Sequence, residues 1–209
     1  MLVSILVIVE HTKKRWILGL LLLVSGWGCP RAQELSSLNA SGQISVDGKL
    51  TPYLIRHLPV NAFPQLPPAV RNVLLARGCL IPQSYEAHGP ENVVNASLER
   101  PGSSDWAVLC SAKEMVSLLV FFSGAPEAPA TLTSAPETSR LQLHNASGLL
   151  GFNWTIDPAS PQTVHEAQLG MRHPPARLEH DAILDAILEG KALYRYYAQN
   201  GWRLIETKD

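Results

Sequence analysis

Arg77-Gly78-Cys79-Leu80-Ile81-Pro82-Gln83, Asp105-Trp106-Ala107-Val108-Leu109-Cys110 and Met115-Val116-Ser117-Leu118-Leu119-Val120-Phe121-Phe122 lie within one stretch, and its reading decides the fold. The last of these runs is almost wholly apolar over eight residues. It is too short for a buried helix and carries β-forming Val and Phe, so it predicts a strand covered on both faces. Asp105–Cys110 predicts its antiparallel neighbour, with Ser111-Ala112-Lys113-Glu114 as the turn. Asn92–Leu98 predicts a further strand ahead of the turn at residues 99–104. Together these segments form a three-strand β-meander.

Upstream, Pro68–Arg77 predicts a short helix. Pro near its first position suits an N–H that has no partner there, and Val70, Val73, Leu74 and Arg77 fall on one stripe. Gly78 can take the left-handed conformation that ends a helix, so Cys79 emerges directly after it. Cys79 and Cys110 are the two cysteines beyond Cys29. In an exported chain such a pair most simply forms one disulfide, which stabilises by about 3–4 kcal/mol for a loop of this length. Cys79 at a helix C-terminus and Cys110 at the end of an apolar strand are poorly placed to be nucleophiles, because neither is offered positive charge.

Asp47-Gly48 signals a hairpin whose second arm meets Pro52, which predicts a short or edge pairing. Residues 33–44 read as a flexible leader and 58–68 as an extended Pro-rich segment. Downstream, 123–139 is rich in Pro, Ala, Thr and Ser and reads as a loop. Strands are expected at 140–144 and 149–155, and a short helix over 161–171. A second helix is expected with Asp181 as N-cap, sharing Ile183, Leu184, Ile187 and Leu188 on one face. The chain closes on a hairpin signal, 192–206, with Asn200-Gly201 as its type I′ turn.

The chain has 209 residues, 46% hydrophobic, 17% charged, with 16 prolines and a formal net charge of -1. Few charges and many prolines favour a loop-rich, strand-rich body. No basic patch interleaved with aromatics is present, which argues against nucleic acid as a partner. Lys13-Lys14-Arg15, the apolar run 16–24 and the small residues after it read as a secretory signal over 1–32. The extra apolar run at 2–9 is foreign to such signals. Processing after Ala32 releases a soluble protein, whereas Gly26-Trp27-Gly28-Cys29 resembles a lipobox and would leave a lipid on Cys29. The expected organisation is therefore a signal peptide over 1–32, a leader and Pro-rich lead-in over 33–66, and a globular domain over 67–209. Asn-x-Ser/Thr sequons stand at Asn39, Asn95, Asn145 and Asn153, and carry meaning only in a eukaryotic secretory pathway.

The motifs at 77–83 and 105–110, His180-Asp181-Ala182-Ile183 and the Tyr-rich terminal hairpin resemble a set of uncharacterised exported bacterial proteins over about residues 65–209. Ala182 stands where that pattern has Gly. The resemblance implies export and no stated activity. Residues 92–108 are also similar in outline to the calcium loops of FG-GAP repeats, with Gly102 and Asp105 at matching positions. Ser97 and Pro101 occupy places where Asp ligands belong, and calcium needs several oxygen ligands, so no metal is assigned.

No Gly-x-Ser-x-Gly, His-Glu-x-x-His, Cys-x-x-Cys or phosphate-cradling Gly loop occurs. His165, His173 and His180, near Asp181 and Asp185, are the concentrated metal-capable set, but their spacing follows no zinc pattern. Tyr194, Tyr196, Tyr197 and Trp202 form a candidate binding surface, since Tyr and Trp are enriched at such surfaces; packing within the hairpin is the competing role. The expectation is an α+β single domain: an antiparallel β-meander with two or three short helices and a C-terminal β-hairpin. Functionally, it is expected to be an exported, non-catalytic module without a cofactor, binding an unidentified protein or extracellular ligand. A small hydrolase using the His165–Asp185 region and a lipid-anchored structural protein are the alternatives.

Overall fold

A computed structural model describes residues 38–144, 148–169, 171, 174 and 176–206. The signal segment with Cys29, residues 33–37 of the leader, Asn145 and His173 lie outside the described residues. At the centre, β5 (Asp105–Ala112) and β6 (Met115–Phe121) pair antiparallel, with Trp106 opposite Phe121 and Ala112 opposite Met115. Successive side chains of a strand point to opposite faces. Accordingly Ala107, Leu109, Val116, Leu118 and Val120 enter one core, while Trp106, Val108, Cys110, Leu119 and Phe121 enter another. Both faces are covered, as the apolar run predicts.

These strands belong to a sheet ordered β7-β6-β5-β3-β2-β9-β8, with β1 paired to β2 and β4 to β5. Its members are β1 (Ala40–Val46), β2 (Lys49–Pro59), β3 (Leu80–Gln83), β4 (Val93–Ala96), β7 (Ala130–Pro136), β8 (Leu141–Leu143) and β9 (Leu150–Phe152). All pairs are antiparallel except β2 with β9. A second, antiparallel sheet runs β10 (Trp154–Ala159), β11 (Ala182–Ile187), β12 (Ala192–Ala198), β13 (Gly201–Glu206). The described residues also form α1 (Pro68–Ala76) and α2 (Pro161–Gln168). The domain is therefore mostly sheet, with a C-terminal hairpin.

The alternation along β5, β6 and β11 stacks these parts as four layers. Helix α1 contributes Val70 and Leu74 to the core on one face of the first sheet. Leu109, Leu118, Phe152, Trp154 and Ile183 fill the space between the sheets. Ala182 and Leu184, flanking Ile183, turn the other way and pack with Val164 of α2 and with Tyr196. Helix α1 ends in a Schellman motif: Gly78 has φ +69, its N–H donates to Leu75 O, and the Cys79 N–H donates to Leu74 O. The predicted Cys79–Cys110 disulfide is formed, with Cα atoms 5.1 Å apart. It ties the end of α1 to the middle of the first sheet.

Asn92 joins the sheets. It is buried at 2% exposure with φ +69, a conformation Asn tolerates better than most residues. Its side-chain amide donates to Pro82 O at 2.7 Å, and its side-chain oxygen accepts from the Ile156 N–H of β10 at 3.0 Å. Its main-chain carbonyl accepts from Leu109 N–H of β5 at 3.0 Å. Asp105 plays a similar local role. Fully buried, its carboxyl group accepts from the N–H groups of Leu98, Glu99 and Ser123 and from the Ser103 hydroxyl. The group that suggested a calcium loop is spent on clamping its own turn.

Four expectations need correction, and a fifth, the first hairpin, is met in part. The expected domain start at residue 67 falls after β1 and β2, which already lie in the sheet, so residues 40–44 are not leader. The Asp47-Gly48 turn forms and its first arm, β1, pairs with β2 alone as an edge strand, the edge alternative expected above, although both arms are long. Pro52 is tolerated because β2 takes β9 as a partner only from Tyr53 onward. The 123–139 loop contains β7, an edge strand whose Ser134 hydroxyl meets that of Ser117 at 2.9 Å. The helix expected after Asp181 is β11: Asp181 accepts from Ser97 N–H rather than capping a helix. Finally, the terminal turn is centred on Gln199 and Asn200, both with positive φ, and Ala198 pairs with Gly201. The I′ geometry is as expected, one residue earlier.

Candidate functional site

Several clefts among the described residues gather polar side chains, and two of them hold three or more Arg and His side chains. The first holds about 470 Å³ and is lined by Asn39, Arg56, His57, Gln83 and His88. His57 is 4% exposed. Its Nδ1 faces Leu38 O at 2.9 Å and its Nε2 faces Glu137 Oε1 at 2.8 Å. Burial pushes the Glu137 carboxyl up, but hydrogen bonds from His57 and Ser111 and the charge on His57 outweigh it. The group is held below its ordinary value of 4.5. Ser111, Glu137 and His57 are thus a chain with the acid in the middle. A nucleophile triad needs the imidazole in the middle, between hydroxyl and acid. Arg56 is also engaged: its Nη2 donates to Ser84 O at 3.0 Å and Ala87 O at 2.9 Å.

The second cleft holds about 370 Å³ and is built from three separate segments. Glu99, Arg100 and Pro101 come from the β4–β5 turn, residues 176–180 from the approach to β11, and Tyr196, Gln199 and Arg203 from the terminal hairpin. The turn is fixed by Asp105, and 176–180 is anchored by the paired hydrogen bonds of Asp181 with Ser97. The hairpin is held by Tyr196, which is 8% exposed and packs with Val164 and Ile205.

The candidate residues from the sequence divide between scaffold and cleft. Tyr196 lines the second cleft, whereas Tyr194 packs partly buried in the core beneath α2. Tyr197 packs at a tilt and Trp202 stacks on Phe122, the residue after β6, with ring centroids 4.9 and 6.0 Å away. His180 lines the second cleft, and its Nδ1 lies 3.0 Å from Asp181 O. His165 is on α2. Asp185 is buried and taken: Trp154 Nε1 and Arg195 Nε each donate to it at 2.6 Å. Among the described residues no three His, Cys, Asp or Glu side chains converge as metal ligands would. Of the sequons, Asn153 is 8% exposed and donates to Gln142, leaving no room for a glycan, while Asn39 and Asn95 are exposed.

Sequence reasoning missed His57–Glu137 and the arginines of the second cleft. Those residues are far apart in the chain and share no motif, and only pairing of the strands brings them together. No helix among the described residues is long and apolar enough to cross a membrane. No family model, curated protein or solved structure matches the chain.

Proposed function

We propose that the chain is an exported, non-catalytic binding module that seats a small ligand in the cleft beside its C-terminal hairpin. The observation that carries this reading is the assembly of one cleft from three distant segments, with exposed Arg177 and Arg203 in its lining, neither in an ion pair among the described residues. Elsewhere the buried Asp105, Asn92, Asp185 and His57 are spent on the fold, each with protein partners. Export is supported by the signal-like N-terminus, the resemblance to exported bacterial proteins and the disulfide, which persists in oxidising compartments. The hydrolase alternative draws no support from the geometry, because Asp185 is committed to Trp154 and Arg195.

Binding is tested by NMR titration of the purified protein with a small-molecule library. Shifts clustered at 99–101, 176–180 and 196–203 are expected. Shifts clustered at Arg56, His57 and His88 instead, or turnover of ester, amide or phosphoester substrates, would replace this reading. Intact mass of the exported protein tests processing: a chain beginning at Gln33 is expected, and a lipid on Cys29 would make it membrane-anchored.

A further inference from the structure

The chemistry of the second cleft narrows the ligand, given the reading of that cleft as the ligand seat. We propose that it takes an anion, a ligand bearing a carboxylate or phosphate group. Arg100, Arg177 and Arg203 reach the cleft from three separate elements, with His180 among them. Two carboxylates share the lining, and Glu99 lies 3.9 Å from the Arg100 Nη1, so it is already partly spent. With Glu99 set against Arg100, Glu179 is the remaining acid against Arg177 and Arg203, so the lining keeps an excess of positive charge.

The guanidinium groups also keep donors free. Arg177 uses one Nη2 bond on Gln162 Oε1 at 3.1 Å, and a guanidinium has five N–H donors. Arg203 is exposed, and its side chain makes no hydrogen bond or ion pair among the described residues. Gathering three cations around one concavity costs repulsion unless something neutralises them. The fork geometry of guanidinium matches carboxylate and phosphate oxygens in paired, charge-assisted hydrogen bonds. Tyr196 and Leu178 supply an apolar floor for the rest of the ligand. A neutral ligand leaves the excess positive charge unused.

The test is NMR titration of the intact protein with inorganic phosphate, citrate and glucose, with Arg203→Gln and Arg177→Gln as variants. Saturable shifts at 99–101, 176–180 and 196–203 are expected with phosphate or citrate, and none with glucose. Each variant is expected to weaken the anion about tenfold, as loss of one charge-assisted contact implies. Whichever anion binds more tightly identifies the group. Undispersed spectra would disqualify a variant as misfolded, and the other then decides. Glucose binding at these residues, unaffected by either variant, would overturn the anion assignment while keeping the cleft as a seat. Failure of both anions to shift these residues overturns the assignment as well, and the library titration then judges the binding reading separately.

Discussion

The two clefts are made of the same kinds of side chain and treat them in opposite ways. Around His57 the central polar groups are answered by the protein: imidazole by Leu38 and Glu137, Arg56 by the carbonyls of Ser84 and Ala87, with Asn39 and His88 exposed at the rim. Around Tyr196 the arginines are exposed, Arg177 spends one donor on Gln162, and the Arg203 side chain has no hydrogen-bond or ion-pair partner among the described residues. Buried polar groups must be paired because water cannot reach them. The first cleft is therefore a seam of the scaffold, and the second has polar capacity to offer a ligand. A histidine beside a carboxylate attracts attention as chemistry, yet here the completeness of its hydrogen bonding marks it as structure.

Substitutions can sharpen this contrast. The largest loss is expected for Asp105→Ala, which strands several buried donors at about 1–3 kcal/mol each, so the variant should be unfolded or lose more than about 4 kcal/mol in urea denaturation. A near-normal midpoint would show that water replaces the carboxyl group and that the turn needs no clamp. Next, removing the disulfide with Cys79→Ser and Cys110→Ser together should cost about 3–4 kcal/mol. Equal stability of reduced and oxidised protein would contradict that.

Glu137→Gln breaks the His57 pair at an expected cost of about 3 kcal/mol near neutral pH, since it leaves a buried partner imperfectly answered. Its pH signature is distinctive. The folded-state value of Glu137 is lowered from 4.5, so its stabilisation is fully present above the unfolded value. That stabilisation is lost as pH falls through the folded one. Wild-type urea midpoints should therefore drop more steeply than those of Glu137→Gln below about pH 4.5. Parallel curves would mean that the pair contributes nothing through ionisation. Smallest of all, Arg203→Gln should change stability by less than about 0.5 kcal/mol, as for a surface substitution. A large loss there would make the second cleft a scaffold seam as well, and erase the contrast.

How much of this was legible follows from what decides each element. β5 and β6 could be read because burial on both faces leaves an apolar run with no helical alternative. The helix end at Gly78 and the cysteine pair could be read because both depend on local chemistry. β11 could not: Ile183, Leu184, Ile187 and Leu188 satisfy a helical stripe as well as a strand, and its choice is made by pairing with β10 and the bond from Trp154 to Asp185. β7 was hidden because an edge strand needs little hydrophobic sequence. The clefts were illegible for a different reason: Arg100, Arg177 and Arg203 become neighbours only through the fold.

Asn92 has a consequence for how the molecule opens. One residue accepts from Leu109 in the first sheet and from Ile156 in the second while donating to Pro82. Separating the sheets would expose all three groups together with the apolar layer between them. The amide protons of Leu109 and Ile156 should therefore exchange with solvent at a common, slow rate set by whole-molecule unfolding. The two sheets then act as one cooperative unit, and the cleft beside the hairpin rests on a base that does not breathe independently of the rest.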